Sequence, residues 1–388
     1  MTDSPALAHI DEQLLAPLVR RQLDDPSADV MDWSRALLHG GLTQEVGLSS
    51  GLYRFTGHAA SADRLVPWSL ILKVVPRSRD NNEPSKWDYW KREILAYESG
   101  LLDNLANDLR APRCFDISEL PGEEIGIWLE DVRETGPDPW PIARYGLAAR
   151  HLAQFNGAYL TGRALPTRPW FSKGRIREWL ALGEAGIQNL SQLARSPIGS
   201  TWLTSRSVER TQRLWRDRQP LLDALDGLPR CLCHHDAFRR NLIAGRTADG
   251  GDQTVAIDWA GVGIGVVGEE LATLVSISLQ FMNVEASEAR SLDAVAFEAY
   301  LQGLREVGWT GDERLVRFGF AACASLYVGL GATGGWLAWL LSDQRHVAMT
   351  ERAIGHPMDR ILEQWARLQE YELDLGDEAL KLLGEMAP

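Results

Sequence analysis

From Phe318 to Ser342 the chain runs for 25 residues without a charged side chain, and no other feature of it restricts the fold as strongly. At 1.5 Å per residue this stretch is long enough to cross a bilayer as a helix. Gly319, Gly329, Gly331, Gly334 and Gly335 interrupt it, together with Ser325, Tyr327 and Thr333. Those residues suit close packing inside a protein, and they predict a buried helix pair broken near Gly331 to Gly335. A membrane span is the alternative reading, but no second span and no flanking Lys/Arg cluster accompanies it. A buried pair needs a large body of chain to cover it. With 388 residues, 45% of them apolar, the chain has that body.

Length alone suggests two or three domains. The net charge of −13 argues against a general nucleic-acid or anionic-membrane binder, because both partners select a cationic surface. A local basic patch stays open. Four cysteines make no disulfide framework, and the opening MTDSPALAHIDE shows no basic-then-apolar signal, so the expected compartment is the cytoplasm. A monomer or a homodimer is expected.

The pattern changes once along the chain. Tyr53 to Thr56, Trp68 to Val75 and Ile125 to Glu130 are short β-favouring runs bounded by Gly, Pro or charged clusters. Beyond Pro141 apolar residues recur three or four apart in Ile142 to Leu160, Ile176 to Leu193, Val208 to Leu225 and Met358 to Tyr371, which predicts helices. The expected class is therefore α+β: a small antiparallel sheet with one helix, then a larger, mainly helical part. Residues 1–34 are expected to form a helical extension, 35–133 the sheet-rich lobe and 134–388 the helical lobe, with ETGPDPWP from Glu134 to Pro141 as the linker. One interruption, Arg230 to Asp258, reads as two short strands joined through a polar loop.

That interruption holds the chemistry. HHDAFRRN sets Asp236 five residues before Asn241, and Asp258 follows 17 later inside the apolar run Val255 to Trp259. Phosphoryl transfer leaves the protein little covalent work: a carboxylate orients the attacking hydroxyl, and hard oxygen ligands hold Mg²⁺ on the nucleotide phosphates. Asp236 suits the first task; Asn241 and Asp258 suit the second. In LILKVV, Lys73 lies in an apolar strand, where an unpaired ammonium is costly, so a partner or a phosphate is expected beside it. On the helix expected from Trp87 to Leu102, Glu93 and Glu98 flank opposite edges of the apolar stripe, and geometry alone does not choose between them.

H-x-D-x-x-x-x-N followed by a strand ending in I-D-W resembles the aminoglycoside phosphotransferase and choline kinase-like family, over roughly Leu42 to Leu274. The resemblance implies a two-lobed protein kinase-like fold, ATP and Mg²⁺ as cofactors, and transfer of the γ-phosphate to a small-molecule alcohol of the aminoglycoside, amino sugar or amino alcohol type. It implies Asp236, Lys73 and Glu93 as catalytic residues, and Asn241 and Asp258 as metal ligands. Glu93 is preferred over Glu98 because R-E-x-x-x-Y matches Arg92, Glu93 and Tyr97. GLSSGLYRF looks like the family's phosphate-covering hairpin, through Gly47, Ser49, Ser50 and Gly51, though a plain hairpin can be spelled the same way. IWLEDV resembles the connector whose backbone at Glu130 to Val132 would bond adenine. His234 would hold the loop through backbone contacts, and Glu270 would pack against it.

Other readings stand beside this one. Cys231, Cys233, His234, His235 and Asp236 would suit a metal-dependent hydrolase, although the two cysteines share one strand face and no second pair follows at finger-like spacing. The fold without turnover would make a silent nucleotide-binding protein. No G-x-x-x-x-G-K-[ST] and no A-P-E-like segment after Asp258 occurs, which speaks against a Walker-type fold and a protein kinase. His235 stands where many antibiotic-modifying members carry Gly, which predicts bulk near the phosphate. Arg239 or Arg240 is a candidate to steady the transferred charge, or else to pair with acids; Phe238 is expected in the core. Acceptor candidates are Trp309, Trp336, Trp339, Asp343, Glu351 and Trp365.

Overall fold

Along Arg64–Pro76 the side chains alternate, and the alternation decides what each face of the sheet does. Trp68, Leu70, Leu72 and Val74 are buried on one face; Ile71, Lys73 and Val75 point to the other. The computed structural model describes residues 5–38, 51–62, 64–78, 80–105 and 108–386. In chain order the first strands are β1 (Asp29–Leu38), β2 (Gly51–Ser61), β3 (Arg64–Pro76), β4 (Leu109–Arg110), β5 (Cys114–Leu120) and β6 (Glu124–Glu130). Five of them form one antiparallel sheet in the order β1-β2-β3-β6-β5, with Leu52 opposite Lys73 and Lys73 opposite Ile127.

The helix Glu12–Leu23, capped by Asp11, lays Leu15, Leu18 and Val19 over the face carrying Phe55, Trp68, Leu70, Leu72 and Trp128. The expected helical extension thus holds a helix, but its last residues belong to β1, which starts at Asp29. The opposite face of the sheet joins the main core through Ile71, Val75, Ile127 and Leu129. On that side the helix spans only Arg92–Glu98, shorter than the expected Trp87 to Leu102. Its shortening has a physical cause: the Arg92 guanidinium takes the carbonyls of Pro84, Lys86 and Trp87, and Gly100 turns left-handed (φ +70°) at the other end.

The helical part follows the apolar periodicity with two breaks: Ile176–Gln188 is separated from Leu190–Leu193 at Asn189, and Ser205–Arg216 from Arg218–Asp226 at Asp217. The uncharged stretch is not broken. Glu313–Ser342 is one helix, with Ser325–Ala332 in π geometry, and 89% of its most apolar window is buried within the protein. The glycines serve packing instead of breaking. A Cβ on Gly186 would come within 2.0 Å of the Gly334 carbonyl oxygen, and one on Gly334 within 2.3 Å of that of Gly183, so the helix Ile176–Gln188 crosses it backbone to backbone.

The expected interruption contains β7 (Arg230–Cys233), β8 (Leu242–Arg246) and β9 (Asp252–Ala256), followed by β10 (Gly263–Val266). β7 pairs with β10, and β8 with β9. β9 also takes β4 as a parallel neighbour, Leu109 opposite Thr254, which fixes the loops after β7 and β9 against the first part of the chain.

Candidate active site

Lys73 reaches the site because the pleat of β3 turns it away from Leu72 and Val74. Its Nζ donates to Glu93 Oε2 at 2.5 Å and to Asp258 Oδ1 at 2.9 Å. Burial disfavours the ammonium, but Asp258 and Glu93 outweigh it and hold the Lys73 pKa above its ordinary value. Burial raises Glu93 despite Lys73, while Lys73 overcomes burial at Asp258 and lowers it. The choice left open between Glu93 and Glu98 falls to Glu93; Glu98 is exposed. Glu93 Oε1 also accepts the Trp259 amide at 3.2 Å. Asp258 itself is left-handed (φ +62°), a conformation costing about 1–2 kcal/mol that its contacts must hold.

Next to Glu93, Arg92 is wholly buried. Besides the carbonyls preceding its helix it binds those of Trp170 (2.8 Å) and Ala260 (2.9 Å), so one side chain ties the Glu93 helix to the segment after Asp258. Burial lowers its pKa to about 10, still far above neutrality.

The loop after β7 is built on Glu270, whose carboxylate accepts the amides of His234 (3.2 Å) and His235 (2.8 Å). His234 Nε2 lies 3.0 Å from the Ile257 carbonyl, and its Nδ1 accepts the Asp236 amide at 3.1 Å. Those partners assign the neutral Nε2–H tautomer, and burial, which lowers the pKa to about 4, agrees. His235 is left-handed (φ +63°), and its Nδ1 donates to the Gly261 carbonyl at 3.0 Å. Its ring is buried beside Glu269 and Gly265, so the bulk predicted near the phosphate is turned into the protein interior. Cys231 and Cys233 are buried free thiols. Among the described residues no three His, Cys, Asp or Glu side chains are grouped to hold a metal.

Asn241 spends both amide protons on Asp236, at the carbonyl oxygen (2.9 Å) and at Oδ2 (2.8 Å). Its Oδ1 and the Oδ2 of Asp258 accept no hydrogen bond among the described residues. Two hard oxygens are therefore open to a cation, and Mg²⁺ fits that donor set. The other Asp236 oxygen, Oδ1, receives Arg175 Nη1 at 2.6 Å. Arg175 belongs to no motif and lies in an irregular segment before the helix Ile176–Gln188; only its position near an aromatic cluster could have signalled it. Its Cζ stands 5.8 Å from the Trp87 ring, and Trp179 packs at 5.7 Å from Trp87 and 5.2 Å from Tyr327.

Arg239 and Arg240 do not face Asp236. Arg239 binds Glu134 (3.1 Å) and Asp138 (3.0 Å) over the Trp140 ring, pinning the linker, and Arg240 donates to the Ala353 carbonyl at 2.6 Å. The pairing with acids, for Arg239, is the reading that holds. Phe238 is buried and stacks on Phe281.

The expected adenine connector is internally bonded: the Glu130 amide donates to the Arg113 carbonyl, the Val132 amide donates to the Glu130 carbonyl, and the Glu130 carboxylate accepts from Arg110 and from the Arg113 amide. Gly51 opens β2 opposite Val74, with the Tyr53 ring where its Cβ would be. Gly47, Ser49 and Ser50 lie outside the described residues.

Each acceptor candidate has neighbours within the protein. Trp336 contacts Trp339 and Trp365, Trp365 donates to the Gln280 carbonyl, Trp339 stacks on His346, and Trp309 is buried. Asp343 pairs with Arg345, and Glu351 accepts the Met358 amide.

The model of the phosphotransferase enzyme family matches residues 82–310, more than half of the chain. Two solved structures share the fold, each 13% identical with a TM-score of 0.50. One is an amicoumacin kinase in complex with AMP-PNP, Ca²⁺ and amicoumacin, covering 91% of this chain and 95% of its own. The other is an aminoglycoside phosphotransferase from Alicyclobacillus acidocaldarius, covering 92% and 93%. No curated protein matches the chain.

Proposed function

The chain belongs to the phosphotransferase enzyme family, and from that premise we propose that it moves the γ-phosphate of MgATP to a hydroxyl of a small molecule of the aminoglycoside, amino sugar or amino alcohol type. The observation that carries this reading is the Lys73 ammonium held between Glu93 and Asp258, the latter 185 residues away. An ammonium has three protons, and two are spent on carboxylates, so one is left for a phosphate oxygen. We assign residues 35–133 to nucleotide binding and 134–388 to catalysis and the acceptor, with the cytoplasm as the place of action.

Lys73 binds and orients the inner phosphates, and Glu93 keeps its Nζ in place. Asn241 Oδ1 and Asp258 Oδ2 would hold Mg²⁺, which when bound neutralises charge on the phosphate oxygens. Asp236 accepts the proton of the acceptor hydroxyl. The hydroxyl oxygen forms its bond to the γ-phosphorus as the bridging bond to ADP breaks. Adenine would meet Glu130 to Val132 only if the Val132 amide leaves the Glu130 carbonyl; Gly51 would let backbone approach the phosphates.

The test is ADP release with MgATP and a panel of alcohols, wild type against Asp236→Ala. Transfer to at least one acceptor that Asp236→Ala abolishes, with nucleotide binding kept, is the expected result. Equal rates in the two proteins would remove Asp236 from its role. Nucleotide binding without any turnover would instead favour the silent binder.

A further inference from the structure

The Asp236 carboxylate has a second custodian. Arg175 Nη1 donates to Oδ1 at 2.6 Å with the guanidinium side chain only 11% exposed. Its charge is held from three directions, by Asp236, by the Trp87 ring and by Tyr327, whose side chain sits beside it. Burial alone would weaken the charged form, but Asp236 and then Tyr327 outweigh it and raise the Arg175 pKa. Tyr327 comes from the π-helical Ser325–Ala332, and such turns re-aim side chains and recur at functional sites. Behind the pair a small cavity is lined by Arg175, His235, Glu269, Thr273, Cys323 and Tyr327.

We propose that Arg175, braced by Tyr327, is a positioning residue for the transfer: it ties Asp236 through Oδ1 so that Oδ2, shared with Asn241, is presented to the attacking hydroxyl. This rests on the role given to Asp236 above. A carboxylate oxygen has two lone pairs, so one donor on each leaves room for the substrate proton. The opposite idea, a latch that must open, would require the guanidinium to give up Trp87 and Tyr327 as well as Asp236. The same arginine supplies positive charge beside Asp236, Asp258 and Glu270, which Arg239 and Arg240 do not.

The experiment compares wild type, Arg175→Ala, Arg175→Lys and Tyr327→Phe in ADP release with kanamycin, choline and 1-amino-2-propanol, and with water alone. Arg175→Ala is expected to lower kcat about 100-fold, with the nucleotide dissociation constant and the nucleotide-dependent melting shift unchanged. Added guanidinium ion restores part of that loss, Arg175→Lys lies between, and Tyr327→Phe lowers kcat by less. A kcat for Arg175→Ala at or above wild type overturns the proposal. So does a loss that accompanies a vanished melting shift and is restored neither by guanidinium nor by Lys. A wild type that releases no more ADP than Asp236→Ala would sink the kinase reading itself, and this inference with it.

Discussion

Two glutamates separated by five residues on one short helix differ in everything that matters chemically. Glu93 is buried against Lys73, the Trp259 amide and, through Lys73, Asp258; Glu98 faces solvent. Breaking a buried ion pair by removing one partner costs about 3 kcal/mol or more, because the remaining charge stays out of water. Glu93→Gln should therefore lower the melting temperature and weaken nucleotide binding, whereas Glu98→Gln should leave both within error. Thermal melting and nucleotide titration of the two variants check this, and an equal effect of both would place the wrong glutamate beside the lysine. Lys73, Asp236, Asn241 and Asp258 stand out in the chain by residue type, order and spacing, whereas Glu93 stands out from Glu98 only by the family resemblance. Arg175 does not stand out: it sits 61 residues before its partner, in a stretch with no periodicity. Arg239 and Arg240 kept two readings open for a related reason, since spacing shows that a guanidinium is near a loop but not which way it points.

At the scale of elements, the helix Glu313–Ser342 was visible in composition, but its continuity was not. Glycines that looked like a break are the contact points of a crossing, which depends on a partner helix that no local pattern names. Adding a methyl at Gly186 must push two backbones apart, at a cost of about 1–3 kcal/mol, whereas a Cβ on Gly335 meets nothing within 4 Å and gains helix propensity of about 1 kcal/mol. Gly186→Ala should thus melt lower and Gly335→Ala at or above the parent. The same helix faces a buried acid. Glu372 lies against Gly329 with Ser276 beside it, yet neither of its oxygens makes a hydrogen bond of ordinary geometry. Burial pushes its pKa up to about 8, so the fold holds it protonated where the unfolded chain ionises it above about 4.5. Stability from this group is present below that lower value and is lost as pH rises towards 8, at up to about 1.4 kcal/mol per pH unit. Melting curves across pH 4–9 should show Glu372→Gln falling less steeply than the parent; parallel slopes would mean the carboxyl is ionised in the fold.

Across the whole molecule, a few polar contacts join the first part of the chain to the helical part: Lys73 to Asp258, Arg92 to the Trp170 and Ala260 carbonyls, and the backbone pairing of β4 with β9. The alternation of Leu72, Lys73 and Val74 makes the first of these possible, since it gives one face to the core under the N-terminal helix and turns Lys73 to the other, towards Glu93 and Asp258. A nucleotide gripped by Lys73 and a cation gripped by Asn241 and Asp258 would add a further bridge, made only in the folded state. Binding to the folded state alone stabilises by about 2.7 kcal/mol at a hundredfold excess over Kd, on the order of 5 °C for a chain of this size. MgATP should therefore raise the melting temperature by several degrees. ATP with EDTA should raise it less, because the phosphate charge would then meet Asp258 and Asp236 with no cation between them. In Lys73→Met the MgATP shift should disappear, while in Asp258→Asn the MgATP and ATP–EDTA shifts should become equal. A metal effect that survives Asp258→Asn undiminished would show that the cation binds elsewhere, and the bridge between sheet and helices would have to be made by the lysine alone.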